Sequence, residues 1–131
     1  MKRCVVTVGL VLAVGSSVSL AGDFMSGRDL QKVLCGNTFQ GENLAQGSTF
    51  RVYYPEKCDE VTHRFLKGSN AGETVTWSFR ISPSGDHCVA HDGKELCTRF
   101  VALGDGVYHG MRDGKAVYTR SNGEAGKHLG D

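Results

Sequence analysis

From Asn37 onward the chain repeats one device: a short run of alternating apolar and polar residues, closed by a turn signal. The clearest run is "TVTWSFRI", in which Val75, Trp77, Phe79 and Ile81 point one way and Thr74, Thr76, Ser78 and Arg80 the other. Strict alternation means one buried and one wet face, the mark of a half-buried β-strand. "TFRVYY" repeats it, with Phe50, Val52 and Tyr54 opposite Arg51 and Tyr53. "EVTHRFL", "LCTRFVAL", "GVYHGM" and "KAVYTR" are further short runs rich in β-branched and aromatic residues. Between the runs lie "AQGS", "KGSNAGE", "SPSGD", "HDGK", "LGDG", "RDGK" and "SNGE", the composition of tight turns. The expected fold is all-β: an antiparallel meander of about eight strands between Asn37 and Thr119, curled into a small barrel or sandwich that removes its edges.

Ahead of the strands, "SGRDLQKVLCG" predicts one short helix. Ser26 and Asp29 resemble a capping box, Leu30, Val33 and Leu34 make one apolar stripe, and Gly36 suits a left-handed stop. At about two turns, such a helix needs packing to persist. The closing "SNGEAGKHLGD" is poor in apolar residues and reads as a loose tail.

The first 21 residues read as a signal peptide, with Lys2 and Arg3 before an apolar run and Ser19 and Ala21 at a small-residue cleavage site. The run is diluted by Gly9, Gly15, Ser16, Ser17 and Ser19, too polar for a membrane span. The expected organisation is therefore a leader over 1–21, one β domain with its helix over 22–120, and a flexible tail over 121–131. Removal of the leader leaves 13 basic against 14 acidic residues, with the basic ones scattered. That balance lacks the footprint of a nucleic-acid binder. An exported, periplasmic or secreted protein without a membrane span is expected.

Beyond Cys4 the chain has four cysteines, Cys35, Cys58, Cys88 and Cys97, an even number that favours disulfides outside the cytoplasm. Asp92-Gly93 is a strong two-residue hairpin turn. Counting outward pairs His91 with Lys94, Ala90 with Glu95, Val89 with Leu96 and Cys88 with Cys97. The cysteines then share a non-hydrogen-bonded rung, where α-carbons approach to ~4.5 Å, within reach of a disulfide. By elimination Cys35 pairs with Cys58 and ties the helix to the sheet.

The catalytic and metal readings are weaker. His87 and His91 share a strand face near Cys88 and Cys97, but Cys88 points opposite to His87, and there is no Cys-x-x-Cys knuckle of a zinc site. The histidines are read as exposed bystanders. Cys35 at a helix C-terminus is poorly placed for a redox thiolate. "GSNAGET" has Glu73 where a phosphate loop needs lysine. No Gly-x-Ser-x-Gly elbow is present, and nothing selects a triad from the five histidines. No catalytic residue, metal or cofactor is expected. If the barrel is hollow, Tyr108, His109, Met111 and Tyr118 are the candidate ligand-binding residues, with Asp113-Gly114 as the turn and His109 opposite Tyr118.

The succession "LCGNTFQG", "GSTFRVYY", "TVTWSFRISPSGDHCVAHDGKELCTRF" and "DGVYHGMRDGKAVY" resembles small secreted bacterial proteins of the type called domain of unknown function 995. The chain departs from that pattern at "YYPEKCDE" and in having Thr76, not glycine, before Trp77. The resemblance implies a small exported β domain and brings no activity with it. The leading functional expectation is a non-enzymatic binding or accessory protein of the bacterial envelope that contacts a protein or glycan. The alternative is a lipocalin-like barrel carrying a small hydrophobic ligand. The first calls for a filled interior and an exposed apolar patch, the second for a lined cavity at one barrel end.

Overall fold

A computed structural model describes residues 23–130; the expected leader lies outside the described residues. One helix, α1 (Gly27–Leu34), precedes eight strands: β1 (Asn37–Asn43), β2 (Ser48–Tyr54), β3 (Glu60–Lys67), β4 (Thr74–Ile81), β5 (Asp86–His91), β6 (Lys94–Gly104), β7 (Val107–Arg112) and β8 (Lys115–Ala125). Each strand pairs antiparallel with the next, and β8 returns to β1, so the sheet is a closed barrel. Closure satisfies the backbone groups that an open edge would expose.

The alternation read from the sequence decides what lies inside. Phe50, Val52 and Tyr54 of β2 are buried, as are Val61 of β3, Phe79 of β4 and Phe100 of β6. Gly110 of β7 also faces inward: a side chain there would meet Phe100 at 3.0 Å and the Thr98 hydroxyl at 3.2 Å.

The helix plugs one end. Ser26 caps it by accepting from the Asp29 N–H at 3.1 Å, and Gly36 follows with φ 86°. Leu30 and Leu34 are fully buried in the barrel core. Gly27 packs against the Ser82–Pro83 backbone so closely that any side chain would collide with the Ser82 carbonyl. Cys35 is bonded to Cys58 in the β2–β3 loop, with α-carbons 5.4 Å apart. Cys88 and Cys97 are also bonded, facing each other in register at 4.1 Å between α-carbons.

Two expectations need correction. Residues 121–130 of the expected tail are not loose: Ser121 to Ala125 continue β8 against β1, and Gly126 N–H donates to the Gly36 carbonyl at 2.8 Å. The His128 N–H donates to Thr38 Oγ1, and Leu129 is buried. The segment is held because β1 needs a partner along its whole length, and backbone pairing does not require apolar side chains. The register of β7 and β8 also differs from the count around Asp113-Gly114. Met111 pairs with Ala116 but Gly110 with Tyr118, so a bulge at Val117 places His109 opposite Thr119. One inserted residue exchanges the faces beyond it.

Candidate ligand cavity at the mouth of the barrel

The end opposite α1 is open. It is formed by the β1–β2, β3–β4, β5–β6 and β7–β8 turns, and a cavity of about 280 Å³ descends from it into the barrel. Period-two spacing builds its wall. Phe50 comes from β2, His63 and Phe65 from β3, Trp77 from β4, His87, Val89 and His91 from β5, and Tyr118 and Arg120 from β8. Asn43, Gln46, Ser48 and Asn70 contribute polar groups near the turns. Three exposed leucines, Leu44, Leu66 and Leu96, also lie at this end.

Arg120 is the centre of the arrangement. It is 1 % exposed, and the Phe50, Tyr54, Phe100 and Tyr118 rings lie 5.3–6.0 Å from its guanidinium carbon. Gly41 makes room for it, since a Cβ there would stand 3.0 Å from Nη1 and collide with the Phe50 ring. Arg120 Nε–H donates to the Tyr54 hydroxyl at 2.9 Å and Nη1 donates to the Thr119 carbonyl at 2.8 Å. Among the described residues no carboxylate forms an ion pair with it, and none lines the cavity.

The hydrogen-bond chain continues from Tyr54 to His87 Nε2 at 2.9 Å. The Tyr54 oxygen accepts from Arg120, which leaves its own O–H able to donate to His87 Nε2 when the neutral ring carries its proton on Nδ1. Burial, reinforced by the nearby Arg120 charge, holds both His87 and His63 well below the ordinary imidazole value of 6.5. Burial raises the Tyr54 phenol above its ordinary 10.0, with Arg120 opposing, so the donor stays protonated. His63 is wedged among Phe50, Phe65 and Trp77, with ring centroids 4.6–5.9 Å away. Its Nδ1 is buried with no hydrogen-bond partner, as is Thr98 Oγ1.

The sequence candidates fare unevenly. Tyr118 lines the cavity. Tyr108 packs edge-on to Phe39, whose ring also meets Tyr54, and is not part of the cavity wall. His109 and Met111 flank the inward-facing Gly110 and so project from the other face of β7. His87 and His91 share a face, as expected, but that face is the interior: His87 is 2 % exposed and not a surface bystander. The Cys88 and Cys97 sulfurs, which lie near Glu95, are joined to each other and supply no thiolate to a metal.

Arg120, Tyr54 and His63 were not singled out from the sequence. Tyr54 already stood on the inward face of its run, and for His63 and Arg120 a signal existed. His63 alternates in phase with Val61 and Phe65, and Arg120 with Tyr118, so each is a polar residue at an apolar-phase position. No family model, curated protein or solved structure matches this chain.

Proposed function

We propose that this protein binds a small molecule in the mouth of its barrel. The observation that carries the reading is the cavity itself: about 280 Å³, walled by aromatic rings at one end of a barrel whose other end is plugged by α1. Ligand sites are characteristically concave, largely apolar and furnished with a few placed polar groups. The leader-like residues and the paired cysteines support a place outside the cytoplasm, in the periplasm or beyond, for this activity.

The test uses Trp77, the chain's single tryptophan and part of the wall. Single-ring compounds, neutral and charged, are titrated into the purified protein while its emission is followed. Saturable binding of one molecule per chain, abolished when Val89→Phe fills the cavity, supports the proposal. No response across the panel overturns it.

A second reading, contact with an envelope protein or glycan, is favoured by the exposed Leu44, Leu66 and Leu96. Exposed apolar groups gathered at one end mark interaction surfaces. Under that reading, the double variant Leu44→Ser/Leu66→Ser, which leaves the cavity-lining Leu96 in place, loses its partner while ligand-induced changes at Trp77 persist.

A further inference from the structure

We infer that the mouth cavity takes a small organic anion, a carboxylate on a body the size of one ring, with the carboxylate paired to Arg120. The inference rests on the cavity reading above and adds the chemistry of the ligand's head group.

A buried guanidinium ordinarily has an anionic partner, because moving a charge out of water is costly unless it is paired. Arg120 is almost wholly buried, yet its neighbours are aromatic rings, a hydroxyl and a carbonyl. A guanidinium has five N–H donors. Two are used, by Tyr54 and Thr119, and three have no hydrogen-bonded partner among the described residues. The rings offer only the attraction of their quadrupoles.

A second observation points the same way. The buried His63 Nδ1, on a ring of the same wall, has no partner. With the ring proton on Nδ1, that N–H would donate to a ligand oxygen, and such orphans are rare in native interiors. Charge balance then selects a monoanion. His63 and His87 are held neutral, so Arg120 is the one full positive charge deep in the wall, and a dianion would leave a charge unmatched. The planar fork of arginine suits a carboxylate, which it engages through two parallel bonds.

Size limits the rest of the molecule. A cavity of about 280 Å³ falls just below the range of about 300–1,000 Å³ typical of drug-sized ligands. A single ring or short branched chain fits beside Phe50, Phe65 and Trp77, and a long acyl chain does not.

Benzoate and its neutral isostere benzamide separate charge from shape. Both are titrated into the purified protein at neutral pH and followed through Trp77. Benzoate is expected to bind at least about tenfold more tightly, the margin of one charge-assisted hydrogen bond. Arg120→Met should erase that margin, so that benzoate and benzamide bind the variant equally. Should the variant fail to fold, the Arg120 Nε–H resonance of the wild-type protein takes its place, and it should shift with benzoate and not with benzamide. Equal affinities, or an unmoved Arg120 resonance, overturn the anion assignment while the cavity reading survives. If neither compound reaches Trp77, the anion assignment falls, and the cavity reading falls with it only when the whole panel is silent.

Discussion

The Arg120 Nε–H donates to the Tyr54 hydroxyl at 2.9 Å inside the barrel, between residues 66 positions apart in the chain. Tyr54 therefore holds the guanidinium in place while it also engages His87. Removing the hydroxyl strands two polar groups. Tyr54→Phe is expected to cost about 2–6 kcal/mol, from about 1–3 kcal/mol for each buried group left unsatisfied. His87→Phe in the same background should cost less than it does alone, because its partner is already gone. Urea unfolding of the single and double variants measures this, and strict additivity would contradict the shared network.

Stability should fall in mild acid. His63 and His87 have folded-state values well below 6.5, so between those values and about 6.5 the unfolded chain binds protons that the native state refuses. Stability is full above about pH 6.5 and declines as the pH drops from 7 toward 5. The slope approaches about 1.4 kcal/mol per pH unit for each histidine. Unfolding midpoints across that window should show the decline, and His63→Gln should make it shallower. A protein that grows more stable over the same descent would refute the assignment.

The two disulfides should differ in weight. Cys35 and Cys58 are 23 residues apart, Cys88 and Cys97 only 9. Loop entropy assigns about 3.5 kcal/mol to the longer loop and about 2.7 kcal/mol to the shorter. The longer one also fastens the plugging helix. Paired alanine variants compared by thermal unfolding should show the larger loss for Cys35→Ala/Cys58→Ala, and the reverse order would mean that the helix end is held chiefly by its leucines.

Deleting residues 126–131 tests whether the end of the chain is structural. Leu129 is buried, the Gly126 N–H bonds to Gly36, and the His128 N–H bonds to Thr38. The expected loss is about 3–5 kcal/mol, from about 2 kcal/mol of apolar burial and about 1 kcal/mol for each hydrogen bond. A truncated protein as stable as the full chain would restore the reading of this segment as a loose tail.

Most of the fold was legible because strands and turns are local. The inward face of "TVTWSFRI" follows from side-chain alternation alone. Asp92-Gly93 fixes the turn, and four steps outward from it bring Cys88 and Cys97 together. The same counting failed around Asp113-Gly114, since one bulged residue, Val117, shifted the register and sent His109 to the wrong partner. The final strand was cut short for a related reason: "SNGEA" has little to bury, and its partner β1 is held by backbone bonds that side-chain pattern does not report.

The site was much less legible. His63, His87 and Arg120 look like ordinary surface residues when read one at a time, and only their phase along each strand hinted otherwise. Alternation, turn chemistry and cysteine spacing are properties of neighbours in the chain, so the sequence by itself determined the strands, the hairpins and the Cys88–Cys97 clasp. Whether the sheet closes, and what closure encloses, depends on pairing the first strand with the last. Only the tertiary structure decided that, and it thereby placed Arg120 beside Tyr54 and His87 with no acid among the described residues to neutralise it. Burial of a charge is a consequence of enclosure, and enclosure is a relation among strands far apart in the sequence.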